Sequence, residues 1–98
     1  MQRYRIVYSN PSTQKHFERF LADLPKNAQD EILEAVESLA LNPRPFGVTK
    51  VQPPLIVYNQ IAHYRVRIRD HRVLYDIDDA RKKVFIHAIR SRNEKTYR

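Results

Sequence analysis

The sequence predicts an α+β fold: an N-terminal strand, a two-helix antiparallel hairpin, then a three- to four-stranded antiparallel sheet with the helices on one face. Three observations carry this. Apolar residues recur at helical spacing between residues 12 and 41. They alternate with period two from Tyr64 to Tyr75 and again from Lys83 to Ile89. Proline and asparagine cluster where the period changes. Helices grouped ahead of a run of strands can cover only one face of the sheet.

Arg3 to Tyr8 alternates around Tyr4, Ile6 and Tyr8, which reads as a first strand, and Ser9-Asn10-Pro11-Ser12 reads as its end and a helix start. Phe17, Phe20, Leu21 and Leu24 fall at i, i+3, i+4 and i+7, giving one apolar stripe on a helix from about Ser12 to Asp23. Pro25 ends it and is suited to open a second helix, to Leu41, with a stripe of Ala28, Ile32, Val36, Leu39 and Ala40. Asn42-Pro43-Arg44-Pro45 stops that helix. From Phe46 to Ala62 the pattern is weak. Val48 to Val51 suits a short strand, Pro53-Pro54 argues against a central strand, and the remainder reads as a long loop with Leu55, Ile56, Val57, Tyr58 and Ile61 partly buried.

The strongest signal is Tyr64 to Tyr75. Tyr64, Val66 and Ile68 face one way, and Arg65, Arg67 and Arg69 the other. With Asp70-His71 as the turn, Ile68 pairs with Val73, Val66 with Tyr75 and Tyr64 with Ile77. The same register sets Arg69 against Arg72, Arg67 against Leu74 and Arg65 against Asp76. Like charges directly across a ladder are destabilising, so such a face leaves its arginines in water or uses them on an anion. Asp78 to Arg81 reads as a turn into a last strand, Lys83 to Ile89. Continued register places Val84 beside Tyr75, Ile86 beside Val73, Phe85 beside Leu74 and His87 beside Arg72. The uncovered face then carries Arg65, Arg67, Arg69, Arg72, Leu74, Phe85 and His87. A basic tail from Arg90 to Arg98 follows.

The 98 residues are expected to form a single domain, 1–98. Without cysteine there is no disulfide framework, thiolate zinc site or thiol nucleophile. No histidine–carboxylate spacing suggests a metal site. No apolar run approaches a membrane span and MQRYRIVYSN lacks a signal-peptide core, so the expected location is cytoplasmic. The net charge is +7 and its distribution is uneven. Residues 10–42 hold three Lys/Arg and six Asp/Glu, whereas residues 63–98 hold eleven Lys/Arg and five Asp/Glu. Basicity gathered in the half that contains the hairpin is what a phosphate-binding or acidic-protein-binding face requires.

The order of elements, together with Tyr64-Arg65-Val66-Arg67-Ile68, Arg72-Val73-Leu74-Tyr75, Arg92-Asn93-Glu94 and Tyr97, resembles the RelE/ParE superfamily of bacterial toxins over nearly the whole chain. RelE-like members are ribosome-dependent mRNA endonucleases, ParE-like members inhibit DNA gyrase, and both are neutralised by a cognate antitoxin. Basic residues at Arg65 and Arg67 and the late Arg92 and Tyr97 resemble the RelE branch more. That likeness implies a RelE-like toxin domain acting on mRNA in the ribosomal A site, with no cofactor, metal or membrane. RelE-like members often carry lysine where this chain has Arg65 and Arg67, and the spacing from Arg92 to Tyr97 is one residue longer than the commonest.

Metal-independent RNA cleavage by 2′-hydroxyl attack needs a base, cations for the charge at phosphorus, and an acid for the leaving 5′-oxygen. Arginine suits the second task, because its planar fork holds two phosphate oxygens, and it is a poor base. Arg67, Arg72 and Arg92 are therefore assigned to the scissile phosphate, with Arg65, Arg69 and Arg90 on neighbouring phosphates and Phe85 stacking on a nucleobase. Tyr97 is the first candidate base, since clustered cations favour the phenolate, His87 the second and His71 the third. Against these stand plainer readings: solvated strand arginines, an Arg65–Asp76 pair, and His16 and His63 as ordinary surface or strand residues. The alternatives for the whole chain are a ParE-like gyrase inhibitor and a non-catalytic RNA-binding domain.

Overall fold

The computed structural model describes residues 3–45, 49–57 and 60–91. Its elements are β1 (Arg5–Tyr8), α1 (Pro11–Ala22), α2 (Lys26–Ser38), β2 (Thr49–Val57), β3 (Gln60–Ile68), β4 (His71–Asp78) and β5 (Lys83–Ser91). Asn10 caps α1: its backbone is extended and its Oδ1 accepts the Thr13 N–H at 2.8 Å, while Pro11 fills the first turn, where no amide donor is needed. Around Pro25 the chain reverses into α2, and the Gln29 side chain donates to the Leu24 carbonyl at 2.8 Å. Beyond α2 the Ala40 carbonyl accepts the Tyr4 N–H at 2.7 Å, which ties that end of the helix to the start of β1.

The five strands lie in the order β1-β5-β4-β3-β2, with β1 parallel to β5 and every other pair antiparallel. The N-terminal strand thus completes the sheet beside the last strand. Phe17 and Leu21 of α1 and Ile32 and Val36 of α2 pack on one face of the sheet against Val73, Tyr75, Val84, Ile86 and Ile89. Each such fully buried apolar side chain contributes about 1.5–3 kcal/mol. The expected α+β architecture with helices on one face is what is found.

Three local expectations are corrected. First, the β3–β4 turn is Arg69-Asp70, not Asp70-His71. Ile68 pairs with His71, Arg67 with Arg72, Arg65 with Leu74 and Tyr64 with Tyr75, a shift of two residues that preserves which side chains share a face. The turn is reached through a left-handed φ of 55° at Arg69, a conformation that costs a non-glycine residue about 1–2 kcal/mol. Second, residues 52–57 are strand, not loop. β2 is the edge of the sheet and its register with β3 breaks between Lys50 and Leu55, so Pro53 and Pro54 sit where no ladder amide is required. At that edge Ile56 is 74% exposed and its partner Ile61 53%, rather than partly buried, while Tyr58 lies outside the described residues. Third, β5 carries a bulge. Tyr75 pairs with Ile86 but Leu74 with Ala88, which leaves His87 as the extra residue.

Candidate functional site

Two ladders meet at β4 and set a row of arginines across the helix-free face. Arg67 of β3 pairs with Arg72 of β4, which pairs with Arg90 of β5. Neighbouring strands are about 4.8 Å apart, so three guanidinium-bearing positions lie within about 10 Å. Arg67 is exposed and Arg72 half-buried, while Arg90 is buried and donates from Nη1 to the Ile89 carbonyl at 3.3 Å. One step along the face, Arg65 pairs with Leu74 and Leu74 with Ala88. Leu74 is fully buried in a small apolar cluster with Ala62, Ala88 and Leu55. The arginine row is thus set beside an apolar floor.

Farther along β4, Asp76 gathers donors from both neighbouring strands. Its Oδ1 accepts the His63 main-chain N–H at 3.0 Å and lies 2.7 Å from His63 Nδ1, and its Oδ2 lies 2.8 Å from His87 Nε2. His87, only 5% exposed, has its other ring nitrogen 3.1 Å from the Ser9 hydroxyl. Burial pushes the Asp76 carboxyl up, but the hydrogen bonds from His87 and then His63 outweigh it and hold the group below its ordinary value. Asp76 is therefore a carboxylate that only accepts, so each imidazole donates to it.

At the far end of β4 a clasp fixes the sheet. The Arg44 fork holds Asp79 at 2.9 and 3.3 Å, and the Tyr4 hydroxyl donates to the same carboxylate. Those contacts, Arg44 first, bring the Asp79 carboxyl down to about 2. Arg44 also lies over the Tyr64 ring, which stacks on Tyr75 with centroids 5.7 Å apart. The Tyr75 hydroxyl donates to the Pro43 carbonyl at 2.7 Å, and burial pushes its phenol far up.

Of the residues singled out from sequence, Arg67, Arg72 and Arg90 come together, with Arg65 one step away. Arg69 does not join them. Placed in the turn, it bonds Glu31 of α2 at 2.7 Å, on the helix side. The bulge moves His87 from Arg72 to Asp76, and Asp76 binds the two histidines rather than Arg65. Phe85 pairs with Asp76 instead of lying beside Leu74. His71 meets the Phe20 ring of α1 edge-on at 5.7 Å, facing the core. Arg92 and Tyr97 lie outside the described residues. The cluster of Ser9, His63, Asp76 and His87 was not legible, because it depends on the bulge. The available signal was an aspartate on a strand face flanked by histidines on both neighbouring strands. Among the described residues no three His, Asp or Glu side chains converge as metal ligands, and no helix is long and apolar enough to cross a membrane.

Residues 7–96 match the family model described as the ParE toxin of type II toxin-antitoxin system, parDE. No curated protein sequence matches the chain. Among solved structures it is similar to the archaeal RelE–RelB complex from Pyrococcus horikoshii, at 26% identity over 95% of this chain and 99% of that one, with a TM-score of 0.69. It shares its fold with the RelBE2 toxin–antitoxin complex of Mycobacterium tuberculosis, at 22% identity, 96% and 97% coverage and a TM-score of 0.65. It likewise shares the fold of a double-arginine variant of the Escherichia coli toxin RelE in the free state, at 13% identity, 97% and 90% coverage and a TM-score of 0.63. With the family model spanning almost its full length and RelE structures superposing on its sheet and helices, the chain belongs to the RelE/ParE superfamily of toxins from type II toxin–antitoxin systems.

Proposed function

We propose that this toxin is a ribosome-dependent mRNA endonuclease that arrests translation by cutting mRNA in the ribosomal A site, and that a cognate antitoxin neutralises it. The observation that carries this reading is the row Arg67–Arg72–Arg90 across three adjacent strands. Guanidinium groups set on three adjacent strands match a polyanion with charges several ångströms apart. In the cleavage step they take up the negative charge that grows on the phosphoryl oxygens, while Arg65 and the tail residue Arg92 bind along the same strand of RNA and Phe85 offers a ring to a nucleobase. Tyr97 supplies a further proton-transfer group from the tail. The reaction needs no cofactor, and it takes place in the cytoplasm, where ribosomes are.

Removing a donor that acts in the transition state costs on the order of 10²–10³ in rate. Arg67→Ala, Arg72→Ala and Arg92→Ala, each verified as folded, are expected to relieve growth arrest on induction. Unreduced arrest by all three folded variants contradicts the assignment. The match to a ParE family model favours a second reading, inhibition of DNA gyrase on the same fold. It predicts DNA-damage signalling on induction, with mRNA left intact.

A further inference from the structure

We infer that His63 is the general base of the arginine face and that Asp76, held by His87, which in turn meets Ser9, positions it. The inference rests on the endonuclease reading above and names the base that an all-arginine row lacks. Asp76 carries three donors: the His63 amide at 3.0 Å, the His63 ring at 2.7 Å and the His87 ring at 2.8 Å. Because a carboxylate only accepts, His63 must present Nδ1–H to it, and its lone pair is then on Nε2. The same logic gives His87 an Nε2–H, with its Nδ1 turned to the Ser9 hydroxyl at 3.1 Å. The two rings differ in access. His87 is enclosed with both nitrogens engaged, whereas the His63 side chain is 45% exposed. The buried histidine is thus an anchor, and the open one can meet a substrate. An aspartate that fixes a histidine's tautomer and leaves the other nitrogen to accept a proton is the arrangement of acyl-transfer triads.

The placement fits the arginine row. His63 is two residues before Arg65 and four before Arg67 on β3, roughly 7 and 13 Å along the strand, so a scissile phosphate seated between Arg65 and the row is within side-chain reach of both the row and the His63 ring. Among the described residues, the His63 ring is bonded to Asp76, which also holds His87, and Arg65 follows two residues on along the same strand. Asp78, two residues on along β4, is taken up by Arg81. The part of β2 opposite, from Val51 to Pro54, brings no ionisable side chain. In the step, His63 Nε2 takes the 2′-hydroxyl proton and the 2′-oxygen bonds to phosphorus. The P–O5′ bond breaks, leaving a 2′,3′-cyclic phosphate. The 5′-oxygen takes a proton from water, and the imidazolium returns its own to the resulting hydroxide.

The test measures single-turnover cleavage of mRNA in programmed ribosomes as a function of pH, with the full chain. His63→Ala is expected to be 10²–10⁴-fold slower, to lose the rise of rate with pH, and to be partly rescued by added imidazole. Asp76→Asn should lose less, because the imidazole remains while the carboxylate that orients it is gone. Nitrogen-15 spectra of the wild-type chain provide a readout independent of activity and of any variant's folding: neutral His63 should be the Nδ1–H tautomer. An Nε2–H tautomer, or wild-type rate and pH profile in His63→Ala while Arg72→Ala is slow, overturns the role of His63 and leaves the endonuclease reading standing. A wild-type chain that leaves ribosome-bound mRNA uncut removes both.

Discussion

Asp76→Ala isolates the polar cluster that organises β3, β4 and β5. The substitution strips the acceptors from the His87 Nε2–H and from the His63 main-chain N–H. A buried donor left without an acceptor costs about 1–3 kcal/mol. His87 is almost fully enclosed and His63 half open, so the loss at pH 6 should total about 2–4 kcal/mol, against a stability of about 5–15 kcal/mol for domains in general. The sign with pH follows from the carboxyl, which is held below its ordinary value in the folded chain. Its contribution is complete above the unfolded value of about 4 and disappears as pH falls through the folded value. Urea denaturation of both proteins at pH 6 and pH 3 should therefore show a large gap that narrows in acid. A gap below about 0.5 kcal/mol at pH 6, or one of equal size at both pH values, would refute the proposed bonding of the cluster.

Phe17→Ala removes an aromatic side chain that is 1% exposed and packs against Tyr8, and should cost about 3–5 kcal/mol and at least about 12 °C in Tm. Calorimetry showing a shift of only a degree or two would mean that α1 is not seated on the sheet. Tyr75→Phe strands the Pro43 carbonyl and should lower stability by about 1–3 kcal/mol, read as a drop in the urea midpoint; an unchanged midpoint contradicts the buried bond. Arg69→Gly relieves the left-handed φ at the loss of an exposed pair with Glu31 worth about 0–1 kcal/mol, and should raise stability by about 0.5–1 kcal/mol while growth arrest persists. Loss of arrest in that variant would return Arg69 to the functional face.

What was legible in the sequence was whatever depends on period. The stripes Phe17–Leu21 and Ile32–Val36 and the alternation of Tyr64, Val66 and Ile68 place helices and strands, because burial on one face must repeat with the geometry of the element. Which side of the hairpin carries Arg65, Arg67 and Arg72 survived the misplaced turn, because a shift of two residues preserves the face. Features governed by pairing were hidden. The bulge that removes His87 from Arg72 inserts a single residue, and no local pattern marks it. The Pro53-Pro54 strand required knowing that β2 is an edge. Asp76 read as a partner for Arg65 until the register set it between two histidines.

The central claim is that the Arg67–Arg72–Arg90 row serves RNA cleavage, and mapping mRNA 5′ ends after induction tests it most directly. New 5′ ends are expected within translated reading frames, dependent on ribosome occupancy and absent with Arg72→Ala. Intact messages alongside a DNA-damage response would contradict the claim.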